Sequence, residues 1–381
     1  MPEPGVFGRF DFGLTAEQED RAVRLHRDSI VIDMLFQGPL GYRAYDEQLQ
    51  AAIQAEGAST PEEKYDAAVT GPIRAAMRGE FPAFEATWVE SGITAGNRQA
   101  GPVPEAGFSR VQMQFDSFPW LVKALTADDI RRAKAEGLRA GYISTQNTEG
   151  IDPKLTGLQA GYDLGLRMLG LTYNMQNAVG GGCTERTDTG VSNFGAKLIA
   201  RCDELGIIVD TAHSGRQTTL DACELSANPV VASHTSAGGL YLVDRAKSDE
   251  ELQAIAETGG VVGVVAVPFF LAPGKGVTIE AMLDHIDYIS ELVGWEHVGI
   301  GTDWPLQADK ETLAAALLAM CYEMGFRPEH NIDGESNLIG FDDYRDFPNI
   351  TRGLVSRGYT DDQISGILGG NFLRVFEKVC G

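Results

Sequence analysis

From about residue 138 onward, short apolar runs alternate along the chain with longer runs in which apolar residues recur at helical spacing. The segment SNFGAKLIARCDELG (192–206) has both end signals of a helix, because Ser192 can cap its start and Gly206 closes it. Apolar strands that alternate with helices indicate a parallel sheet covered on both faces. The short runs have the length of strands, and they lie at 138–145, 166–174, 207–213, 230–234, 261–270 and 297–304.

Two runs nearer the N-terminus complete the pattern. IVIDML (30–35) and FEATWVESG (84–92) bring the candidate strands to eight. Eight strands predict an α/β fold of the (β/α)8 TIM-barrel type. An open doubly wound sheet is the alternative. The barrel is favoured because polar residues recur at the C-terminal ends of the strands, as they do around a barrel mouth.

The remaining segments fit one barrel domain that spans residues 1–381. Residues 39–83 contain YDEQLQAAIQAEG and PEEKYDAAVTGPIRAAMRG, which predict a helical insertion after the first strand. Residues 305–381 predict a long loop and then closing helices within DDQISGILGGNFLRVFEKVC. Length alone suggests two or three domains, but barrels with insertions commonly exceed that expectation as one domain.

Composition narrows the possible partners and the compartment. The formal net charge of −23 disfavours nucleic acid and anionic membrane surfaces as partners. The N-terminus lacks the basic start and apolar core of a signal peptide, and no stretch approaches the roughly 20 apolar residues needed to span a bilayer. We therefore expect a cytoplasmic protein. The five cysteines are scattered, as free thiols in a reducing compartment are: Cys183, Cys202, Cys223, Cys321 and Cys380.

Two of the six histidines end successive strands. His213 closes IIVDTAH and His234 closes VVASH. In a parallel barrel these strand ends meet at the mouth, where two imidazoles can share one divalent cation at about 2.0–2.1 Å. The alternative is that each ring hydrogen-bonds a neighbouring loop. The other four histidines have structural positions, in helical segments (His26, His285), at the opposite rim (His297) and in a polar loop (His330).

Asp303 ends the last strand, in HVGIGTDW. Its carboxylate can ligate a metal or take a proton from a metal-activated water, unless it only caps the following turn. The Gly-rich loop GGGCTERTD is expected to overhang the mouth. It has no lysine and does not match a phosphate-binding loop, which disfavours a nucleotide ligand. Unless this loop is an ordinary flexible lid, its candidate pocket residues are Cys183, Glu185, Arg186 and Asp188.

Several ordered motifs resemble the membrane dipeptidase (renal dipeptidase) family of zinc peptidases, in the amidohydrolase superfamily. They are VDTAHSG, then SHTSA 21 positions on, then GIGTDW, together with IDPKLTGLQAGYDLGLRMLGLTYN and SNFGAKLIARCDELGIIVD. The resemblance extends from about residue 138 to 304, with weaker agreement at Asp33 and in GGNFLRVF. It implies a (β/α)8 fold and hydrolysis of dipeptides at two bridged metals, and a homodimer is possible because dimers are common in the family.

The resemblance implies roles for the residues that match the family's motifs. His213 and His234 match the histidines that hold the second metal. Asp303 matches the carboxylate that ligates the first metal and helps to activate the water. Arg245, 11 positions after His234, matches the arginine that grips the substrate's terminal carboxylate, a bidentate task that suits a guanidinium.

Tyr173 stands where the mammalian enzyme has a histidine that polarises the substrate. Its hydroxyl can still donate a hydrogen bond to a developing oxyanion. Tyr173 and the adjacent Asn174 complete the expected substrate-binding residues.

The sequence departs from the family where the first metal would bind. The family's first strand ends in Asp-Gly-His-x-Asp, whereas this chain has DMLFQ, with Leu35 and Gln37 at two ligand positions. Gln146 stands where a metal-bridging glutamate is expected, and Glu149 lies three positions late. One carboxylate of three remains, and two dications with a single −1 partner would repel strongly in a low-dielectric pocket.

The retained residues predict a single-metal site at His213 and His234, with Asp303, the amide oxygen of Gln146 and water as further ligands. This donor set suits zinc first, with iron or manganese as alternatives. We expect a metal-dependent hydrolase that cleaves an amide bond in a small substrate bearing a carboxylate, such as a dipeptide. Two alternatives stay open: a barrel that binds a small molecule without turnover, and an enzyme with other chemistry, which redox-active iron would favour.

Overall fold

The computed structural model of the chain describes residues 10–38, 71–101, 106–304, 321–327, 332 and 337–381. Most of the predicted helical insertion and much of the loop predicted after Asp303 lie outside the described residues, as does His330. Residues 71–77 are helical, in agreement with the prediction for the end of the insertion. The assignment of all 381 residues to one domain stays a prediction.

Several helices begin and end where the sequence has capping signals. Ser192 Oγ accepts a hydrogen bond from Gly195 N at 3.0 Å, and Gly206, with φ 78°, ends the helix that the spacing predicted. Besides the helical residues 71–77, the α-helices with defined bounds are α1 (Ala16–Asp28), α2 (Ala83–Ser91), α3 (Ala106–Ser117), α4 (Ala127–Glu136), α5 (Thr156–Leu164), α6 (Asn193–Leu205), α7 (Arg216–Leu225), α8 (Asp249–Glu257), α9 (Pro268–Leu271), α10 (Ile279–Val293), α11 (Pro348–Ser356), α12 (Asp361–Ser365) and α13 (Asn371–Cys380).

The strands form two parallel sheets. They are β1 (Ile32–Asp33), β2 (Ala95–Gln99), β3 (Leu121–Lys123), β4 (Arg139–Thr145), β5 (Leu166–Gly170), β6 (Ile208–Asp210), β7 (Ala232–Ala237), β8 (Ala246–Lys247), β9 (Val262–Val264) and β10 (Val298–Ile300). One sheet has the order β1-β2-β4-β5-β6, with β3 beside β4, and the other has the order β10-β9-β7-β8.

Backbone hydrogen bonds join the two sheets at two seams. At the first seam, between β6 and β7, Val231 N donates to Val209 O (2.9 Å) and Thr211 N donates to Val231 O (2.8 Å). At the second seam, between β10 and β1, Met34 N donates to Ile300 O (2.8 Å). The strands β1, β2, β4, β5, β6, β7, β9 and β10 therefore form a closed ring, and the predicted (β/α)8 barrel is confirmed.

Asp33 reinforces the second seam. Its buried carboxylate accepts hydrogen bonds from Thr302 N (2.9 Å), Thr302 Oγ1 (2.5 Å) and Leu35 N (3.1 Å). Burial raises the pKa of Asp33 to about 7, and the three donors oppose that rise. The carboxylate that ends the first strand therefore ties β1 to the chain that follows β10.

The prediction of a strand at 84–92 was wrong. These residues belong to α2, and the second barrel strand is β2, with the sequence AGNRQ. The segment was predicted to be a strand as one of the short apolar runs, but such a run does not distinguish a strand from a buried helix. β2 itself has no apolar run, because the polar residues Asn97 and Arg98 lie in it. Both side chains are buried, and both donate hydrogen bonds there. The buried residues of α2 are Phe84, Thr87, Trp88 and Ser91, at helical spacing.

α12 and α13 pack at the end of the barrel where the strands begin. Asn371 Nδ2 donates to the carbonyls of Trp295 (2.7 Å) and Val298 (2.8 Å), next to the start of β10. Gly369 lies so close to Ile30 that a Cβ would be 2.4 Å from the Ile30 carbonyl oxygen. The polar residues that follow the strands therefore collect at the other end. Within the described part of the chain, none of the helices combines the length and apolar character that crossing a bilayer requires.

Candidate functional site

The two histidines predicted to share a cation meet at the first seam. His213 follows β6 and His234 lies in β7, and their Nε2 atoms are 2.8 Å apart. Both rings are buried. Burial first, and then the positive charge of Arg245, lower the pKa of both imidazoles well below the usual range. Both rings are therefore neutral near pH 7, and each has one nitrogen with a free lone pair.

Each ring is held through its Nδ1 atom. His234 Nδ1 lies 2.7 Å from Ser233 Oγ, which in turn donates to Asp210 Oδ2 at 2.5 Å. His213 Nδ1 lies 2.7 Å from Asn174 Oδ1. Asn174, expected to bind substrate, thus contacts a candidate metal ligand.

Gln146 lies beside the pair. Its Oε1 is 2.8 Å from His213 Nε2, and its Nε2 donates to Gln99 Oε1 at 2.7 Å. Gln99 comes from β2, on the far side of β4. Glu149, the alternative to Gln146, is exposed. The loop after β4 therefore places an amide, and not a carboxylate, against the histidines.

Asp303 follows β10 at the second seam. Its Oδ1 accepts a hydrogen bond from Gln37 Nε2 at 2.6 Å. Burial raises the pKa of Asp303 to about 6, while the charge of Arg245 and the bond from Gln37 oppose the rise. Among the described non-glycine residues, positive φ occurs at Asp303 (53°), Asn174 (57°) and Leu155 (59°). Two of these three strained positions are at the site, where such strain concentrates.

Arg245 and Tyr173 line the same cavity as His213. The Arg245 side chain is buried, and its guanidinium donates to the backbone carbonyls of Ala212 and of His234, the latter at 3.1 Å. The Tyr173 ring stacks on the His213 ring, with centroids 4.1 Å apart and an interplanar angle of 24°. The guanidinium thus supports the strand ends that carry the two histidines, and Tyr173 covers one of them.

The cavity has a volume of about 170 Å³, and its lining includes a group of amide side chains (the amide wall) and a group of apolar side chains (the apolar wall). In its described lining, the acidic and basic side chains apart from histidine are Arg245 and Asp303. Such a cavity suits a small ligand with an apolar group and few charges. The amide wall is Gln37, Gln99, Gln146 and Asn174, and the apolar wall includes Val267, Phe269, Phe270, Trp304, Met324 and Phe326.

The Gly-rich loop supports the site from outside the cavity. Cys183 Sγ lies 3.3 Å from Asn174 Oδ1. Glu185 and Asp188 accept hydrogen bonds from backbone N–H groups of neighbouring segments, and Arg186 is exposed. The described lining of the cavity includes none of the four candidate residues of this loop.

The donor set fits one divalent cation better than two. Two nitrogens that share a tetrahedral cation at 2.0–2.1 Å are about 3.3 Å apart, so the histidine Nε2 atoms, at 2.8 Å, need only a small opening. Leu35 is buried and offers no lone pair, and Gln37 donates a hydrogen bond to Asp303 instead of supplying a negative charge. No three His, Cys, Asp or Glu side chains of the described chain form a metal-binding group.

Three residues of the site had no role in the sequence analysis. Gln99 was missed because its strand was placed at 84–92. Asp210 and Ser233 lie within the motifs IIVDTAH and VVASH, three positions and one position before the histidines. A polar residue inside an otherwise apolar strand was the available signal. The hydrogen bonds between these residues depend on side-chain directions across two strands, which spacing does not give.

Comparisons with known proteins show which sequences and structures the chain resembles. A family model described as membrane dipeptidase (peptidase family M19) matches residues 19–312 and 331–380. An uncharacterised dipeptidase of Schizosaccharomyces pombe is 30% identical over 261 residues, which are 66% of this chain and 56% of that protein. The chain thus spans little more than half the length of that relative.

Solved structures extend the likeness to nearly the whole chain. An amidohydrolase from Pseudomonas aeruginosa is 26% identical, with a TM-score of 0.74, and the match covers 94% of this chain and 98% of that one. A metallopeptidase from Rhodobacter sphaeroides, solved with a phosphinate mimic of the dipeptide L-Ala-D-Ala, is 19% identical. Its TM-score is 0.65, with 92% of this chain and 100% of that chain covered, so it shares the fold.

Proposed function

Because this chain belongs to the membrane dipeptidase family, we propose that it is a metal-dependent hydrolase that cleaves an amide or peptide bond in a small substrate bearing a carboxylate. The observation that carries the proposal is the convergence of the His213 and His234 Nε2 atoms, 2.8 Å apart. The name of the S. pombe relative, a dipeptidase, supports a peptide substrate.

His213 and His234 would hold one divalent transition metal, with Gln146 Oε1 and Asp303 as candidates for further ligands. Zinc suits two imidazoles best, and iron and manganese are the alternatives. Such a metal, when bound, lowers the pKa of a coordinated water and polarises a carbonyl group.

Asp303 is the candidate that moves the proton. Gln37 Nε2 holds its Oδ1, which leaves Oδ2 to accept a proton from the attacking water. With a pKa of about 6, the Asp303 carboxylate is mostly ionised near pH 7 but still basic enough to take up a proton. The same group would then return that proton to the departing amine.

Arg245 and Tyr173 would orient the substrate. A guanidinium has five N–H groups, and two of the Arg245 hydrogen bonds go to the carbonyls of Ala212 and His234, so other N–H groups can pair with a substrate carboxylate. The Tyr173 hydroxyl would donate to the oxyanion that develops on the attacked carbonyl. The apolar wall around Phe270 would exclude water from the reacting bond.

A second candidate is a barrel that binds a small molecule without turnover. Two observations favour it. Gln37 stands at a position where the family resemblance implies a metal ligand, but it is a neutral amide and donates a hydrogen bond to Asp303 Oδ1. Leu35 is buried at another ligand position. Such a protein would keep its ligand after chelation of metals and would hydrolyse no dipeptide.

Elemental analysis and hydrolysis assays on the same samples separate the two candidates. We expect protein reconstituted with zinc, manganese or iron to bind one equivalent of metal and to hydrolyse members of a dipeptide panel. His213→Ala should lower kcat/KM at least about 100-fold and remove most of the metal.

His297→Ala is the matched control, because His297 lies before β10 and contacts the Gly260 carbonyl at 2.9 Å, at the opposite rim. It should change neither the metal content nor the rate. Full activity in His213→Ala, or a reconstituted parent protein that binds no metal, would contradict the proposal.

A further inference from the structure

We infer that Asn174 and the Ser233–Asp210 pair are positioning residues, which fix the tautomers of His213 and His234 so that both Nε2 lone pairs face one cation. This inference rests on the proposed metal-dependent function. Its evidence is the set of hydrogen bonds to the two Nδ1 atoms, which lie on the side of each ring away from the other ring.

The hydrogen bonds behind His234 determine which of its nitrogens carries the proton. Asp210 Oδ1 accepts from Ala212 N (3.0 Å) and Ser233 N (2.8 Å). Burial raises the pKa of Asp210, while these bonds and the charge of Arg245 oppose the rise. The Ser233 hydroxyl donates its one proton to Asp210 Oδ2, at 2.5 Å, so its oxygen accepts from His234 Nδ1, at 2.7 Å. The lone pair of His234 is then on Nε2.

Asn174 has the equivalent effect on His213. The Asn174 side-chain nitrogen faces Met324 Sδ at 3.8 Å, and a thioether accepts but cannot donate, so the amide oxygen faces the ring. That oxygen accepts from Cys183 Sγ at 3.3 Å and lies 2.7 Å from His213 Nδ1. An amide oxygen cannot donate, so a hydrogen bond at this distance needs a proton on Nδ1. The Asn174 carbonyl also accepts from Thr184 N (2.9 Å) and Oγ1 (3.0 Å), which holds the residue in place. The proton of His213 is therefore on Nδ1.

The result is a cluster of acceptors with no proton of its own. The two Nε2 lone pairs face each other across 2.8 Å, and Gln146 Oε1 lies 2.8 Å from His213 Nε2. These three groups repel one another, and a cation between them satisfies all three at once. In the other tautomer, either ring could donate to its neighbour, and an imidazole–imidazole hydrogen bond would close the site. The positioning residues thus keep the pair available to a metal.

Two pairs of substitutions test the two sides separately. Asn174→Gly removes the acceptor and suits the left-handed backbone, while Asn174→Asp keeps an acceptor oxygen. Ser233→Ala removes the link to Asp210, while Ser233→Thr keeps the hydroxyl. Ser236→Ala is the matched control, since Ser236 is a buried serine of the same strand whose Oγ has no hydrogen-bond partner among the described residues.

The first measurement is calorimetric titration of the metal-free protein with Zn²⁺. The Kd should be about 10–100-fold higher for Asn174→Gly and for Ser233→Ala than for the parent protein. Asn174→Asp should bind no more weakly than the parent, and Ser233→Thr and Ser236→Ala should stay within about threefold of it. Zn²⁺ binding that is unchanged in both Asn174→Gly and Ser233→Ala would overturn the inference.

The second measurement is ¹⁵N NMR of the histidine rings in metal-free protein at about pH 8, where neutral imidazoles predominate. Both rings of the parent should be Nδ1–H tautomers. Ser233→Ala should change the tautomer of His234 alone, and Asn174→Gly that of His213 alone. An Nε2–H tautomer at either ring of the parent protein would overturn the inference. Because neither metal nor substrate is present, this result does not depend on whether the protein hydrolyses dipeptides.

Discussion

His26 is a buried imidazole that ties α1 to the end of α2 and to α11. Its Nε2 donates to the Ser91 carbonyl at 2.9 Å, and its Nδ1 accepts from Thr351 Oγ1 at 2.8 Å, so the neutral ring is fully hydrogen-bonded. Burial lowers the pKa of His26 from 6.5 to about 4. As the pH falls, the unfolded chain therefore takes up this proton before the folded protein does.

We expect acid to destabilise the protein through His26. Between pH 6.5 and 4 mainly the unfolded state binds this proton, so the free energy of unfolding falls as the pH falls through that window. From pH 7.5 to 5 the contribution of His26 is about 2 kcal/mol. Urea unfolding of the parent and of His26→Gln at both pH values isolates the contribution of His26 to the free energy of unfolding, because the other titrating groups are common to both proteins. An equal pH dependence in the two proteins would mean that His26 is not responsible.

Some residues of the site can be predicted from their spacing along the sequence, and others cannot. His213, His234 and Asp303 were found because each ends a strand, and a barrel brings strand ends together. Asn174 was assigned to the substrate, although its amide oxygen lies against His213 Nδ1. Contacts of this kind depend on rotamers and on the exact register of neighbouring strands, which a single sequence does not fix. The catalytic and metal-binding roles stay predictions.

At the scale of elements, each of the six runs predicted as strands from residue 138 onward contains a strand, because apolar runs identify buried parallel strands. The run at 261–270 is a strand only at Val262–Val264, and its last residues, from Pro268 onward, belong to α9. The second strand of the barrel had no such signal. β2 is stabilised by tertiary contacts of its polar side chains: Asn97 Oδ1 accepts from Phe36 N (2.5 Å), and Asn97 Nδ2 donates to Ser144 Oγ (2.9 Å). Tertiary contacts of this kind override strand propensity, so local sequence could not reveal this strand.

Two glycines that end helices allow a matched test of packing. Gly92 ends α2 and Gly137 ends α4, and both have φ 73°. A Cβ at Gly92 would lie 2.3 Å from His26 Nε2, whereas a Cβ at Gly137 would have no heavy atom within 4 Å. Gly137→Ala should therefore cost only the strain of the left-handed backbone, about 1–2 kcal/mol. Gly92→Ala should cost about 1–3 kcal/mol more, because it also overpacks the core.

Chemical unfolding of both variants measures the difference. In a His26→Ala background the added methyl group at position 92 meets no ring, so the extra cost of Gly92→Ala should largely disappear. Equal costs at the two glycines in the parent background would contradict this account of the α2 end.

At the scale of the whole molecule, barrel closure depends on the two seams, and each has one buried threonine. Thr302 Oγ1 donates to the Asp33 carboxylate at 2.5 Å, and Thr211 Oγ1 donates to the Val231 carbonyl at 3.0 Å. Hydrogen bonds to charged groups contribute about 1.5–3 kcal/mol, and those between neutral groups about 0.5–1.5 kcal/mol. At pH 8, above the Asp33 pKa of about 7, Thr302→Val should therefore destabilise the protein more than Thr211→Val.

Urea unfolding gives the two free energies, and hydrogen exchange shows where the barrel opens. In Thr302→Val we expect amide protection in β1 and β10 to fall together, because the lost bond from Thr302 Oγ1 to Asp33 is one of the bonds that join the first and last strands. A loss confined to one of these strands, or a larger cost at Thr211, would contradict the assignment of Asp33 to barrel closure.

The family and the barrel architecture were both accessible from the sequence. The ordered motifs between residues 138 and 304 indicated the family, and the alternation of strand-like and helical runs indicated the fold. The metal stoichiometry was not accessible in the same way. It depends on whether the amide oxygens of Gln37 and Gln146 face a cation or a neighbouring side chain. In the structure, Gln37 Nε2 donates a hydrogen bond to Asp303.

Each seam is also crossed at the mouth by a pair of site residues. His213 and His234 face each other across the first seam, and Gln37 contacts Asp303 across the second. Residues of the proposed site thus lie on both sides of each seam. A ligand that contacts both pairs would bridge the two sheets, so we expect the ligand-bound protein to resist unfolding more than the free protein.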